Sequence, residues 1–313
     1  MTQPITLTAA IRYYSDEQTC INAVAALRWP DGSPICPKCN ATQEKRNHYW
    51  LAAQKRWKCH ACRKQFSVKV GSIFEDSALS LDKWLVALWM LVNCKNGVSS
   101  YEISRATGMG QKAAWFVLQR LRHTMNETFT GKMDGTIQID ECYIGGKPQN
   151  MHESKRRQIG QHDHKTAVMG LLETGSRQVR AHVIPNAKRE TLQRAILERV
   201  GFGSTLHTDS WVGYDRMDIR YIHEQVNYAN EYVRGNVSTQ AIENFWSCLK
   251  RSLTGTYVAV EAFHMDKYLA EQCFRFNNRI NMNDGDRFVK ALSQVGGKRL
   301  TWNELTGKEA ASA

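Results

Sequence analysis

Two pairs of cysteines have the spacing of a metal site. Cys36 and Cys39 form one CxxC turn, and Cys59 and Cys62 form another, with 19 residues between the pairs. Each turn directs two thiolates at one point, so the two turns together complete a tetrahedral site. Because four thiolates are soft ligands that leave no coordination position open, the pattern predicts a structural Zn²⁺. His60 is a weaker rival ligand, and a redox CxxC motif would not normally occur as a matched pair.

Three acids further along the chain predict a second metal site of a different kind. Asp140 lies in an alternating, strand-like segment, Asp209 follows another strand-like segment, and Glu243 lies in a helical one. Each acid alone is typical of a surface charge, so the hypothesis depends on their joint placement. Carboxylates with open water positions suit Mg²⁺ or Mn²⁺, and two such ions can drive phosphodiester chemistry. Lys250 shares the helix face of Glu243 and could contact a phosphate.

The segments around these acids alternate between strand-like and helical patterns. Period-two alternation predicts strands, and a period of about 3.6 residues predicts helices. The order of these elements indicates an α/β layer fold. The predicted strands cover residues 136–144, 167–172, 179–184, 204–207 and 220–228, and the predicted helices cover 190–200, 239–253 and 261–278. A basic, His-rich loop occupies 145–165, and we expect the tail from Gly296 to be loosely ordered.

The front of the chain has the pattern of a helix-turn-helix next to the cysteine module. Ser99 can cap a helix with Glu102 three residues on, and Gly108 can end that helix. A second helix follows, as in a DNA-binding hairpin, although any short helical hairpin gives the same pattern. The candidate DNA contacts are Gln111, Lys112, Trp115 and Arg120 in this hairpin, and Arg63 and Lys64 in the cysteine module.

These patterns divide the 313 residues into five parts, two or three of which are long enough to fold as domains. The predicted boundaries are 1–34 for an N-terminal helical segment, 35–70 for a zinc ribbon, 80–130 for the helix-turn-helix region, 131–290 for the domain with the three acids, and 291–313 for a C-terminal tail.

The charge of the chain favours a polyanionic partner. The net charge is +12 and the pI about 9.3, and residues 1–130 hold 17 Lys and Arg against 9 Asp and Glu. Nucleic acid is the commonest partner of such a protein. The sequence contains neither an apolar run of about 20 residues nor a secretory signal, so we expect a cytoplasmic, nucleoid-associated protein. The remaining cysteines are then expected to be reduced and buried, namely Cys20, Cys94, Cys142, Cys248 and Cys273.

Several motifs, in a fixed order, resemble one protein family. They are the paired CxxC turns and the segments Ile139–Lys147, Thr208–Tyr214, Ile242–Arg251 and Phe274–Arg279. On these motifs, residues 15–285 resemble bacterial insertion-sequence transposases of the DDE type, in the group that joins an N-terminal zinc ribbon to an ISXO2-like transposase domain. The resemblance implies an RNase H-like core, a mixed sheet flanked by helices, with Asp140 and Asp209 as metal ligands.

Two positions depart from the family pattern. Relatives are often described with Asn as the third ligand, and that Asn falls at Gln240 or Asn244 of this chain. Glu243 is our choice because a carboxylate binds a hard cation better than an amide does. Its separation of 34 positions from Asp209 is also similar to that in other DDE enzymes. Val258 stands where relatives often carry His, so any help that this His gives in aligning DNA would be missing.

The leading hypothesis is a transposase that cleaves the inverted-repeat ends of an insertion sequence and transfers the 3′-ends into target DNA. Double-stranded DNA is the expected partner, and Zn²⁺ with two Mg²⁺ or Mn²⁺ ions are the expected cofactors. Synapsis of two ends predicts a dimer or larger assembly. Two alternatives stay open. One is a zinc-ribbon and helix-turn-helix regulator with an inactive nuclease domain, and the other is an RNase H-like nuclease, such as a junction resolvase, that cuts without joining.

Overall fold

The chain folds into two compact units. The computed structural model describes residues 4–44, 46–126, 131–146, 153, 165–226 and 237–308. One unit combines residues 1–126 with residues 280–313, and the other consists of residues 127–279. Among the described residues, no helix is long and apolar enough to cross a bilayer.

The first unit begins with two helices and a small antiparallel sheet. Helix α1 (Leu7–Tyr13) and helix α2 (Glu17–Arg28) precede strands β1 (Tyr49–Leu51), β2 (Arg56–Lys58) and β3 (Gln65–Phe66). The strands pair in the order β1-β2-β3, as expected for a zinc ribbon. Asp16 caps α2 as the sequence predicts, because its Oδ2 accepts the backbone N–H of Thr19 at 2.7 Å.

Three helices follow the ribbon in the same unit. Helix α3 (Leu81–Asn93) is largely buried, and α4 (Ser100–Thr107) and α5 (Gln111–Thr124) form the predicted helical hairpin. Ser99 and Glu102 make the capping box that the sequence predicts, and Gly108 ends α4 with a φ of +70°.

The second unit is built on a five-stranded mixed sheet. Its strands are β4 (Thr136–Ile144), β5 (Thr166–Glu173), β6 (Gln178–Ile184), β7 (Thr205–Asp209) and β8 (Ile222–Val226). They lie in the order β6-β5-β4-β7-β8. The three consecutive strands β4, β5 and β6 are antiparallel, whereas β4, β7 and β8 are parallel.

Helices cover both faces of this sheet. Helix α6 (Arg189–Arg199) packs on one face, and helices α7 (Gln240–Ser252) and α8 (Met265–Asn277) pack on the other. Alternate residues of β4 supply the two cores, since Ile137 and Ile139 face α6 and Cys142 faces α7. This is the RNase H-like arrangement that the resemblance implies.

The predicted elements of this unit are all present, with shifts of a few residues at their ends. The strand expected over 204–207 extends to Asp209, and the helix expected over 261–278 begins at Met265. Lys147, most of the His-rich loop, and the last two residues of the strand expected over 220–228 lie outside the described residues.

The C-terminal segment corrects the expectation of a loose tail. Helices α9 (Asp284–Ser293) and α10 (Trp302–Thr306) belong to the first unit. The Trp302 ring lies against Trp115 and Phe116 of α5, with ring centroids 6.0 and 5.5 Å apart. A five-residue helix has no detectable period of its own, so only these aromatic contacts reveal its place. Residues 309–313 lie outside the described residues.

Candidate zinc site and candidate active site

The four predicted zinc ligands converge on one point. Their Sγ atoms all lie within 4.8 Å of one another, with Cys36 and Cys62 3.8 Å apart and Cys39 and Cys59 3.6 Å apart. Sulfurs bound tetrahedrally to Zn²⁺ at about 2.3 Å are about 3.8 Å apart, so the set fits the metal. The four cysteines are therefore positioned to bind a zinc ion. The rival ligand His60 stacks instead on His48, with ring centroids 5.1 Å apart.

The two CxxC turns have the same backbone geometry. In each, the first cysteine donates its N–H to the carbonyl five residues on, as Cys59 does to Lys64 at 2.9 Å. The residue after the second cysteine is left-handed in both, with φ of 56° at Asn40 and 61° at Arg63. The side chains of Arg63 and Lys64 are exposed at the edge of the second turn. They are thus available to a phosphate backbone.

Asp140 and Asp209 occupy corresponding positions in neighbouring parallel strands. Gln138 of β4 pairs with His207 of β7, and each acid lies two residues beyond its member of that pair. Side chains two residues apart share a face of the sheet, so both carboxylates lie on the face that α7 covers. The two acids are thereby brought to one edge of the sheet.

Burial raises the pKa of both acids, and repulsion from neighbouring acids adds to the rise at Asp140. Burial, with further contributions from Glu141 and Asp209, raises the pKa of Asp140 to about 7. Burial also raises the pKa of Asp209, and the hydrogen bond that its Oδ1 accepts from the Trp211 N–H at 3.1 Å opposes this shift. A bound cation would relieve both the desolvation and the repulsion.

Glu141 is a third partly buried acid in this cluster, and reasoning from the sequence did not single it out. It lies on the opposite face of β4 from Asp140, where the buried Tyr214 hydroxyl donates to its Oε2. Burial raises the pKa of Glu141, the bond from Tyr214 opposes the rise, and Asp209 adds to it. Two consecutive acids within one strand were the available signal.

A side chain of the sheet holds the first turn of α7. The Oε1 atom of Gln138 accepts the backbone N–H groups of Ala241 and Ile242 at 3.0 and 3.2 Å. These N–H groups have no acceptor within the helix, and Thr239 before them supplies no side-chain cap. Gln138 therefore fixes the start of the helix that carries Glu243.

The middle of α7 is tied directly to Asp140. The indole Nε1 of Trp246 donates to Oδ2 of Asp140 at 3.0 Å. Gly170 lies opposite Asp140 on β5, and a Cβ there would lie 2.7 Å from Trp246 Cζ2 and 2.8 Å from Ile242 Cδ1. The indole reaches the carboxylate because that position has no side chain.

Lys250 lies about one turn beyond Trp246 in helix α7. Burial raises the pKa of the Cys142 thiol, and Lys250 opposes this shift through its charge and a hydrogen bond. Cys142 is two residues beyond Asp140, and Lys250 is four residues beyond Trp246. Two residues of a strand span about 6.6 Å, and four residues of a helix span about 6 Å. The step from Asp140 to Cys142 along the strand therefore matches the step from Trp246 to Lys250 along the helix. Lys250 thus lies near Cys142, about one helical turn beyond the contact between Trp246 and Asp140.

The three candidates for the third ligand are all exposed near the start of α7. Glu243 accepts a hydrogen bond from Thr239 Oγ1 at 2.9 Å, whereas Asn244 accepts one from Cys248 Sγ at 3.5 Å. Glu243 precedes Trp246 by three residues and so shares its side of the helix, which Asn244 and Gln240 do not. Across the part of the chain that the structure describes, the four zinc-ribbon cysteines are the only group of three or more candidate ligands within 4.8 Å. The three acids do not form such a group.

The candidate DNA contacts at the start of α5 have different surroundings. Lys112 is exposed, with Nζ 4.9 Å from the centroid of the Trp302 ring. Gln111 donates from Nε2 to Ser100 Oγ at 2.8 Å, and Trp115 is half-buried against Trp302. Of these three candidates, Lys112 is the charged one and the most exposed.

Arg120 lies inside the first unit. Its residue is 4% exposed, and its guanidinium donates to the carbonyl of Glu75 at 2.7 Å and lies over the rings of Trp84 and Phe116. This placement gives Arg120 a packing role within the first unit and keeps its guanidinium away from solvent.

Comparison with known proteins covers both halves of the chain. The family model of the ISXO2-like transposase domain matches residues 132–277, and that of the transposase zinc-ribbon domain matches residues 15–65. The uncharacterized protein in transposable element ISH50 of Halobacterium salinarum is 25% identical over an alignment of 299 positions, which covers 91% of this chain and 98% of that protein. An uncharacterized transposase-like protein of Haemophilus influenzae is 32% identical over 97 residues, which are 31% of this chain and 78% of that protein.

A solved structure is also similar at low identity. It is a chain of the cryoEM structure of the simian T-cell lymphotropic virus intasome in complex with PP2A regulatory subunit B56 gamma, at 13% identity and a TM-score of 0.31. The match covers 59% of this chain and 66% of that one, and at this TM-score it adds nothing to the assignment. The domain matches and the two relatives agree with the motifs, and the chain belongs to the insertion-sequence transposases of the DDE type that join a zinc ribbon to an ISXO2-like transposase domain.

Proposed function

We propose that this protein is a metal-dependent DNA transposase that cleaves the inverted-repeat ends of its insertion sequence and joins the 3′-ends to target DNA. The observation that carries the proposal is the matched placement of Asp140 and Asp209 at one edge of the sheet, where the pKa of Asp140 is raised to about 7. Acids held together against their own repulsion are typical of a cation site. Membership of the family supports the class of reaction.

In this proposal Asp140, Asp209 and Glu243 hold two Mg²⁺ or Mn²⁺ ions. Carboxylate oxygens are the ligands these hard cations prefer. Bound there, the ions would activate the attacking oxygen and stabilise the leaving oxygen. Trp246 and the Glu141 N–H each fix one oxygen of Asp140, so the carboxylate is oriented before a metal arrives.

The proposed chemistry consists of two substitutions at phosphorus. In cleavage, a water oxygen bonds to the phosphorus at the end of the element, the P–O3′ bond breaks, and the 3′-oxygen leaves and takes up a proton. In joining, that 3′-hydroxyl loses its proton and bonds to a target phosphorus, the P–O3′ bond of the target breaks, and the released 3′-oxygen takes up a proton. Lys250, beside Cys142, would contact the non-bridging oxygens of the phosphate that reacts.

The first unit is proposed to bind the element ends. The exposed Arg63 and Lys64 would contact phosphates beside the zinc turn, and Lys112 would do so at the start of α5. Gln111 and Trp115 are proposed as base contacts, although Gln111 must first leave Ser100. Because joining uses two ends, we also propose that the protein acts as a dimer or larger assembly.

The test uses the full-length protein and a plasmid that carries the DNA flanking the gene on both sides. With Mg²⁺ we expect nicks that leave 3′-hydroxyl ends and joined products, whereas Asp140→Asn should bind the ends and form neither. Pre-cut ends separate the alternatives, because a nuclease without transferase activity would cut and never join. A regulator would act unchanged as Asp140→Asn. Bound DNA that is neither cut nor joined by the parent protein in Mg²⁺ or Mn²⁺ would overturn the proposal.

A further inference from the structure

A cavity of about 670 Å³ lies at the end of β4, beside the last turn of α7. Tyr143 and Ile144 line it from the strand, and Leu253 and Val260 line it from the chain that follows the helix. Its volume is within the range of pockets that bind small molecules. Apolar walls of this kind suit a flat, apolar group.

The wall that follows α7 has an irregular backbone. The helix passes into a π-helical turn over Leu253–Tyr257, and Val258 follows with φ of 62° and ψ of −55°. A β-branched residue is strained in this conformation, and Val258 is 80% exposed, so burial does not offset the strain. π-Helical turns and strained residues are both concentrated at functional sites. The irregular segment turns the chain around the cavity.

Lys250 connects the cavity with the acidic site. Lys250 lines the cavity and lies close to the Cys142 thiol. Cys142 is two residues from Asp140 on the same face of β4, which is about 6.6 Å along the strand. If Lys250 holds a phosphate, the nucleoside attached to that phosphate is therefore within reach of the cavity.

We propose that this cavity receives one nucleobase, unstacked from the DNA strand on which the acidic site acts. The flat faces of a base match the apolar walls, Lys250 matches the adjoining phosphate, and the Glu261 carboxylate at the rim accepts from an amino group of the base. A neutral apolar ligand would leave Lys250 unused at the cavity wall. The inference deepens the proposed function and depends on DNA being the substrate.

The experiment places the fluorescent base 2-aminopurine at the terminal nucleotide of a duplex made from the flanking DNA. The parent protein is Asp140→Asn in Ca²⁺, so that the duplex is bound and not cut. Unstacking into the cavity should raise the fluorescence by about threefold or more, whereas the same base placed well inside the duplex should not respond.

A filled cavity and a matched control test the location. Ala259 lines the cavity, and Ala262 is exposed close by without lining it. We expect Ala259→Trp to abolish the fluorescence rise and Ala262→Trp to retain it. With a duplex that lacks the terminal base, Ala259→Trp and its parent should bind equally well, which a folding defect would not produce.

Two results would overturn the base site. One is a rise that persists in Ala259→Trp, and the other is a bound duplex that gives no rise with the parent. Cutting and joining by the protein with Asp140 intact are measured in parallel. If they persist without a fluorescence change, the base site is wrong while the proposed function stands, and if DNA binds without being cut or joined, the proposed function itself fails.

Discussion

Trp246 donates its indole N–H to Oδ2 of Asp140 at 3.0 Å, while the Glu141 N–H donates to the other oxygen at 2.9 Å. The carboxylate is thus oriented by helix α7 on one side and by its own strand on the other. Gly170 makes the first bond possible, since any Cβ at that position would overlap the indole. Orientation before binding lowers the cost of capturing a metal or a substrate.

Gly170→Ala should destabilise the second unit. The new methyl would lie 2.7 to 2.9 Å from Trp246 and Ile242, so the helix must shift or these two side chains must leave their rotamers. Overpacking of this kind costs about 1–3 kcal/mol, which denaturant unfolding can measure. Gly175→Ala is the control, because a Cβ at Gly175 meets no atom within 4 Å. Equal unfolding midpoints for the two variants would show that the close approach is not real.

Trp246→Phe should weaken metal binding at the acidic site more than it lowers the stability of the fold. The substitution keeps an aromatic ring over Gly170 and removes the donor to Asp140. We expect the Mn²⁺ concentration for half-maximal cleavage to rise by about tenfold, as it does when a metal ligand loses its orienting partner. Trp211→Phe is the control, since it removes an N–H that bonds to the carbonyl of Ala187 at 3.4 Å. An unchanged Mn²⁺ requirement would mean that the indole only fills space.

Replacing each of the three candidates for the third ligand should lower metal-dependent cleavage to a different extent. The candidates are Glu243, Gln240 and Asn244. If Glu243 is the third ligand, Glu243→Gln lowers metal-dependent cleavage by at least about 100-fold, more than the loss of an orienting partner does. Gln240→Ala and Asn244→Ala should stay within a few-fold of the parent. The assay is cleavage of the flanking DNA across a Mg²⁺ titration. Full activity of Glu243→Gln with a dead Gln240→Ala would move the ligand to the first residue of α7.

Features that are fixed within one short segment could be predicted from the sequence, whereas contacts between distant segments could not. The cysteine site followed from spacing alone, because a CxxC turn fixes its own geometry. The polarity of β4 around Asp140 was also visible, since strand alternation is local. The match of Asp140 to Asp209 depends on strand register, and the bond from Trp246 depends on a glycine 76 residues earlier. Neither relationship is encoded within one element.

The burial of Arg120 and the position of helix α10 also depend on tertiary contacts that the sequence does not show. Arg120 has the sequence surroundings of an exposed helix residue, and its burial becomes apparent only when α3 and the Glu75 carbonyl are placed beside it. The C-terminal helix α10 was missed for a similar reason, because its position is set by Trp302 packing on α5. The sequence pattern shows which residues could be buried and which could be exposed, and tertiary contacts decide between the two.

Without metal, Asp140 should make folding stability fall as the pH rises. Burial, Glu141 and Asp209 raise its pKa from 3.8 to about 7, so the folded state binds this proton more tightly than the unfolded state does. The stabilisation is complete below about pH 4 and is lost as the pH passes through 7. The loss is on the order of 4 kcal/mol.

Asp140→Asn tests this sign directly. In buffer without Mg²⁺ or Mn²⁺ that leaves the ribbon Zn²⁺ bound, the variant should lose less stability than the parent between pH 4 and 7 and should be more stable than the parent at pH 8. Some decline remains in the variant because the pKa values of Glu141 and Asp209 are also raised. Adding Mn²⁺ should then stabilise the parent and leave the variant nearly unchanged, because the ion binds only the folded carboxylates. Parallel stability curves for the two proteins in the buffer without Mg²⁺ or Mn²⁺ would contradict the raised pKa of Asp140.

Arg63 and Lys64 should behave differently from Arg120, although all three are cations of the first unit. Arg63→Ala and Lys64→Ala remove exposed charges, so each should weaken DNA binding and lower the slope of log K against log salt by about one, with no change in melting temperature. Arg120→Ala removes a buried bond to the Glu75 carbonyl, so it should cost about 1–3 kcal/mol of stability and leave the salt slope unchanged. Binding titrations at several salt concentrations, paired with thermal unfolding, measure both quantities. A reduced slope with unchanged stability for Arg120→Ala would place its guanidinium on the DNA and not beside Glu75.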